Sequence, residues 1–276
     1  MSTLLRPAAA AVLALVWCGA ANASTDGAVP FLAHRAVYDL SLLKATGNKS
    51  PTAASGRIVY EFTGSSCDGY VTNFRQVTEL QPAEGGTRLS DMRSTTFEDG
   101  AAKSFRFKIE TSVDDVVQED LDGSATRAGD GAVSVDLSKP SSSKFDFGAG
   151  IVFPTEHLER IIAAAKAGER TLSVKAYDGS ETGSKVYNTF TVIGKLADGA
   201  PDDPAAQVDA LKSVRRWPVA ISYFDPDKVD GAPNYILSFD LYENGVSGAL
   251  KLDYGDFVLS GKLSKLEPLP ASSCKQ

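Results

Sequence analysis

Two histidines, His34 and His157, are the only imidazoles in the 276 residues, so any imidazole chemistry must run through one of them. Neither belongs to an H-E-x-x-H stretch or another spaced ligand set, which leaves zinc without a set of ligands. A Ser/His/Asp arrangement would need one of the same two residues, and no G-x-S-x-G elbow accompanies them. His157 falls in the first turn of a predicted helix, where a capping or packing role is expected. His34 opens a predicted strand and is expected to be structural or exposed. Asp225-Pro226-Asp227 with Asp230-Gly231 resembles a calcium loop, but the D-x-D-x-x-D-G spacing is one residue too long and no Glu closes it. An acidic turn is the expectation there. Asn48-Lys49-Ser50 matches a glycosylation sequon, which matters only on a eukaryotic secretory route. No Gly-rich phosphate loop occurs, and sequence alone places no two carboxylates at hydrolase distance. These observations assign no catalytic residue, no metal ligand and no cofactor, and the chain is expected not to be an enzyme.

Cysteine is more informative. Cys18 lies in a segment with the composition of a leader. Arg6 is the only charge before Asp26, Ala8 to Val16 form a short apolar run, and Ala21-Asn22-Ala23 is an A-x-A cleavage site. The run is too short to span a bilayer, and Trp17 does not fit the small residues that precede a lipidated cysteine. Residues 1–23 are therefore expected to be a signal peptide, and 24–276 a single exported domain. Loss of Cys18 leaves an even pair, Cys67 and Cys274. In an exported chain such a pair reads as a disulfide, with two free thiols as the alternative. A redox role has no support, because no C-x-x-C occurs.

The formal net charge of -7 argues against nucleic acid and anionic lipid headgroups as electrostatic partners. It leaves a neutral or apolar ligand open. A hydrophobic content of 43% is enough for a real core.

The element that must organise this core is the stretch Phe153 to Glu169. Leu158, Ile161, Ile162 and Ala165 fall at i, i+3, i+4 and i+7, one apolar stripe at the helical period. Thr155 is the expected N-cap and Gly168 the expected left-handed C-cap, with Lys166 near the carbonyl end. Nearly everything else alternates like β-strand. Roughly a dozen strands are expected, among them 34–43, 57–62, 70–80, 87–97, 104–110, 171–177, 185–196, 213–224 and 257–266. Asp122-Gly123 and Asp130-Gly131 read as turns, 139–150 as irregular, and 198–204 as a hinge. Pro218 suggests an edge strand or a bulge. Asn244-Gly245 between 235–242 and 246–254 is the strongest hairpin signal. This pattern predicts a mainly β barrel or sandwich, with the lone helix laid against the concave face of a curved sheet. Aromatic residues at alternating positions (Tyr38, Tyr60, Phe62, Phe105, Phe107, Tyr235, Phe239, Tyr254 and Phe257) read either as ordinary core or as the lining of a partly open interior for an apolar ligand.

Four segments carry a family resemblance: HRAVYDLSL at 34–42, GRIVYEFTGSSCDGY at 56–70, FPTEHL at 153–158 and SFDLYENGVSGALKLDYGDFVLSGKL at 238–263. Together they resemble the cell-envelope integrity B family (EipB) of alphaproteobacteria, over nearly the whole of the expected mature chain. The resemblance implies a periplasmic protein with a single large antiparallel open, spiral-like broken β-barrel. It implies a disulfide that maps onto Cys67 and Cys274, a role in envelope integrity and stress resistance, and a fold similar to that of the lipoprotein carriers LolA and LolB. It carries over no catalytic residue.

The expected function is support of the cell envelope by binding a lipid, acyl chain or lipoprotein segment in a concave apolar face, with Leu158, Ile161, Ile162 and Ala165 as the candidate ligand face. The alternative is a protein-interaction module for envelope partners with a filled interior. The chain is expected to be a monomer.

Overall fold

Alternation along the first and last strands places Ala36, Tyr38 and Leu40 of one, and Leu259 and Leu263 of the other, on a single buried face. These strands, β1 (His34–Ala45) and β15 (Phe257–Pro268), pair antiparallel, with His34 opposite Pro268 and Ala45 opposite Phe257. They form the seam of a fifteen-stranded sheet. The computed structural model describes residues 29–47, 50–226, 231–272 and 274. The expected signal peptide, Asn48 and Lys49 of the sequon, and Asp227 and Asp230 of the acidic turn lie outside the described residues.

From β1 a meander runs outward through β2 (Ala53–Ser65), β3 (Gly69–Gln81), β4 (Arg88–Glu98), β5 (Ser104–Val113), β6 (Val116–Arg127), β7 (Val133–Lys139) and β8 (Ser143–Phe147). The chain then crosses to the far edge as β9 (Ile151–Val152) and the helix α1 (Pro154–Ala167). It returns to the seam through β10 (Thr171–Ala176), β11 (Tyr187–Ile193), β12 (Arg216–Phe224), β13 (Tyr235–Tyr242) and β14 (Ser247–Asp253). Neighbouring strands are antiparallel except β9, which lies parallel to β10. Beta8 and β9 are the two edges of the sheet.

No ladder joins those edges among the described residues; side chains do. Phe105 and Phe107 of β5 and Val133, Val135 and Leu137 of β7 share a buried cluster with Ile151, Phe153 and Tyr177 from the other end. The Phe147 ring of β8 stands 5.9 Å from that of Tyr177. The sheet is thus an open spiral whose ends meet by packing. A second, larger cluster lies under the seam and takes in Ile161, Ile162, Ala164 and Ala165 of α1. The helix therefore sits inside the curve of the sheet.

Several local readings need correction. The chain has more strands than the dozen expected, partly because 139–150, read as irregular, contains β8. Asp122-Gly123 is no turn: it lies inside β6, at a register shift against β7. Gly123 is needed there for close approach, since a Cβ would run into Leu137 and Phe107. The turn is instead Asp114-Asp115, both with positive φ, as a tight hairpin demands. Pro218 is in an interior strand, between β11 and β13. Its missing donor is harmless because the ladder with β11 starts one residue later, at Val219, and Pro218 only accepts, from Gly194 N–H at 2.7 Å. The 198–204 segment is fastened to the sheet, not hinged. Asp203 is buried and its carboxylate accepts the Ala249 N–H at 2.7 Å.

Cys67, in the turn between β2 and β3, and Cys274, near the chain end, are joined with Cα atoms 5.6 Å apart across a separation of 207 residues. Closing so long a loop removes unfolded-state entropy worth about 5 kcal/mol in the chain-entropy model, and about 2–4 kcal/mol in practice. Cys67→Ser is expected to lower Tm by on the order of 5–10 °C in thermal melts followed by circular dichroism. An unchanged melt would show that the bridge does not constrain the unfolded chain.

Candidate functional site

The position of α1 is set at its first turn. Phe153 is the N-cap residue and offers no side-chain cap; Pro154 takes the N1 position, where its missing N–H costs nothing. Thr155, the expected cap, is instead one of the residues whose N–H must be satisfied. The carboxylate of Glu98, at the end of β4, accepts from Thr155 N–H at 2.7 Å and from Glu156 N–H at 2.9 Å. A negative group at the positive end of the helix dipole adds to these bonds. Arg127, at the end of β6, donates to the Ile151 carbonyl at 2.9 Å and to Glu156 at 2.6 Å, with its guanidinium over the Phe153 ring. At the other end Gly168 takes φ 79°, and the N–H groups of Gly168 and Glu169 close back on Ala165 and Ala164 as a left-handed cap requires. Lys166 reaches Glu243 after β13 at 3.1 Å.

Held this way, α1 roofs a chamber of about 690 Å³. Its lining is mostly apolar and aromatic, as ligand pockets of this size are. The walls come from both arms of the sheet: Ile58, Tyr60 and Phe74 on one side, Ile221, Phe239 and Leu252 on the other. Leu158 and the buried Ile161 of the helix line it, whereas Ile162 and Ala165, in the same core, do not. Of the aromatics singled out from alternation, Tyr38, Tyr60, Tyr235, Phe239 and Tyr254 line the chamber. Phe105 and Phe107 close the spiral, Phe62 packs on Phe31 and Tyr70, and Phe257 stacks on Tyr254. Tyr38 lends its hydroxyl to the Ser247 carbonyl at 2.8 Å.

His157 also lines the chamber. It is 4% exposed and its Nε2 has no hydrogen-bond partner. Burial first, then the nearby Arg160, pushes its pKa down to about 4 against the pull of Glu156, so the ring is neutral at pH 7. His34 is buried too, with Nδ1 2.7 Å from the Leu32 carbonyl. No group of three or more His, Cys, Asp or Glu able to hold a metal occurs among the described residues.

Sequence reasoning missed Glu98, which reads as the first residue of a turn. Its signal was indirect: a helix opening on Phe-Pro with no good N-cap requires an acceptor from elsewhere. Tyr177, Tyr187 and Tyr223 were missed because each sits at a strand end, where alternation gives little guidance.

The EipB-like family model matches residues 25–270. A curated relative, the cell envelope integrity protein EipB of Brucella abortus (strain 2308), is 41% identical over 262 residues, covering 94% of this chain and 92% of its own length. The crystal structure of a beta-barrel-like protein of a domain of unknown function from Brucella abortus superposes with a TM-score of 0.83 at 40% identity, covering 88% of this chain and all of that one.

Glu98 makes the helix anchor measurable. Burial raises its pKa to about 7 despite the two N–H donors that favour the carboxylate. A carboxyl raised above its unfolded value binds its proton more tightly when folded, so stability falls as pH rises from about 4.5 through 7 and is level above that. The loss from this group is on the order of 3 kcal/mol. Denaturant midpoints between pH 5 and 8 are expected to show it, and Glu98→Gln is expected to flatten it. A variant with the same slope as the parent protein would place the titration elsewhere.

Proposed function

The chain belongs to the EipB-like family, and from that membership we propose that it supports cell-envelope integrity from the periplasm by holding an acyl chain, of a lipid or of a lipoprotein segment, beneath α1. The observation that carries the reading is the 690 Å³ chamber itself. A filled β core would bring the two arms and the helix into contact; here both arms and the helix border one cavity, which the half-buried Leu158 faces. An apolar occupant gains about 0.8 kcal/mol per buried methylene. For a chain of roughly fourteen carbons that is about 11 kcal/mol, and an association cost of at least ~4 kcal/mol leaves a Kd of about 10 µM or weaker. Such an affinity suits a holder that must also release.

The test is binding of dodecyl maltoside, an uncharged alkyl glycoside, below its micelle concentration, followed by native mass spectrometry and calorimetry. A one-to-one complex is expected. Leu158→Trp places a larger ring in the chamber from a half-buried site and is expected to weaken binding at least about tenfold while Tm moves by no more than about 2 °C. Absence of a one-to-one complex, or binding indifferent to Leu158→Trp, would overturn the acyl-chain reading and favour envelope proteins as partners.

A further inference from the structure

We infer that the mouth of this chamber selects amphiphiles with a cationic head, a primary or quaternary ammonium, over anionic ones of the same chain length. The inference rests on the acyl-chain reading and adds the class of headgroup to it.

Among the described residues, the charged lining of the chamber has one sign. Asp178 and Glu181 are the charged residues of the lining, and no Lys or Arg lines the chamber among the described residues. The nearest ammonium, Lys185, is already committed, at 2.7 Å to Glu181 and 2.7 Å to Asp225. Lys185 is shared between Glu181 and Asp225, and Asp178 forms no ion pair with a Lys or Arg among the described residues. Glu119 lies in the same field: burial raises its pKa against a lowering bond from Thr111, and Glu181 and Asp178 add smaller upward pushes.

The tyrosine rings of the lining suit a cation. Tyr187, Tyr223, Tyr235, Tyr254 and Phe257 form a chain across β11 to β15, with successive ring centroids 6.0, 6.0, 5.1 and 4.9 Å apart. All but Phe257 line the chamber. The negative faces of such rings attract an ammonium within about 6 Å. The cation–π pairs found among the described residues are Arg106 with Phe97, Arg127 with Phe153 and Arg215 with Trp217, so none of them occupies one of these tyrosine rings.

The carboxylate segment is held in place before any ligand arrives. Tyr177 donates its hydroxyl to the Gly183 carbonyl at 2.6 Å, and Asp178 accepts from the N–H and hydroxyl of Ser180 at 2.9 and 2.7 Å. Gly179 takes φ +76° with the Phe107 ring where a Cβ would be. Glu181 itself sits at φ 55°, an uncommon conformation for its type and one that marks a positioned residue. A further polar group in the same lining lacks a partner. His157 lies one turn into α1 from the edge where Tyr177 N–H meets the Val152 carbonyl at 3.0 Å, and its Nε2 is buried and unpaired. Being neutral, it can share a hydrogen bond with an ester or hydroxyl near a headgroup without repelling an ammonium.

Three twelve-carbon probes separate the outcomes: dodecyltrimethylammonium, dodecanoate and dodecyl maltoside, each below its micelle concentration and each scored for the one-to-one complex at two ionic strengths. The ammonium is expected to bind about tenfold or more tighter than the carboxylate, a difference that narrows at high salt. In Asp178→Asn/Glu181→Gln, with the Ser180 acceptor retained, the ratio is expected to fall to within about threefold while maltoside affinity holds. Tyr254→Leu, at an exposed ring, is expected to cost the ammonium several-fold more than the maltoside. Equal or tighter binding of dodecanoate, or a preference that survives the double variant and so reflects only the net negative charge of the protein, would overturn the inference while leaving the acyl-chain reading intact. Failure of all three probes would overturn both.

Discussion

A carboxylate from one arm of the sheet satisfying the helix of the other is the contact on which the rest of the structure depends. Glu98 ends β4; Thr155 and Glu156 begin α1, more than fifty residues later. Without an acceptor, two N–H groups at the helix start would be buried unpaired, at roughly 1–3 kcal/mol each. Burying a carboxylate is itself costly, and its raised pKa is the mark of that cost. The arrangement is favourable because each liability answers the other. It also fixes geometry: β4 must curl far enough to bring its end to the helix. Arg127 does the same for β6.

This explains how the sheet closes with no closing ladder among the described residues. Edge strands β8 and β9 expose backbone groups that could pair with a foreign strand. Beta9 is only two residues long, and Phe147, at the end of β8, packs on Tyr177 near the opposite edge. The stacked rings of Phe105, Phe107 and Phe153 fill the place where the two ends overlap. Closure by packing tolerates an offset between the arms that a ladder would not. Room is left inside, and α1 covers it without filling it.

The legible part of this architecture was the part governed by period. Alternation exposed the strands, the i, i+3, i+4, i+7 stripe exposed the helix, and Asn244-Gly245 exposed its hairpin, whose Gly245 takes φ 84°. Where glycine serves close packing, local rules misled: Gly123 reads as a turn residue but makes room for Leu137 and Phe107. The stripe itself was read as one surface, yet only Leu158 and Ile161 meet the chamber while Ile162 and Ala165 face packed core. Helical period says which side is apolar, not what lies opposite each residue. Glu98 was illegible for a related reason, because a long-range cap leaves its trace only as a missing local one.

The two interior regions of the spiral show how one aromatic composition serves two ends. Around Phe105 the rings are mostly phenylalanine, stack on one another and exclude solvent. Around the chamber they are mostly tyrosine, and their hydroxyls need partners: Tyr38 finds the Ser247 carbonyl, Tyr254 finds Gln76, and Tyr187 finds Glu181. Burial raises the pKa of each of these phenols, so they stay neutral and keep both a donor and a π-face. The chamber thus has a wall of neutral phenols over an apolar floor, with Asp178 and Glu181 in its lining. The closed end braces the carboxylate segment, since Gly179 rests directly on Phe107.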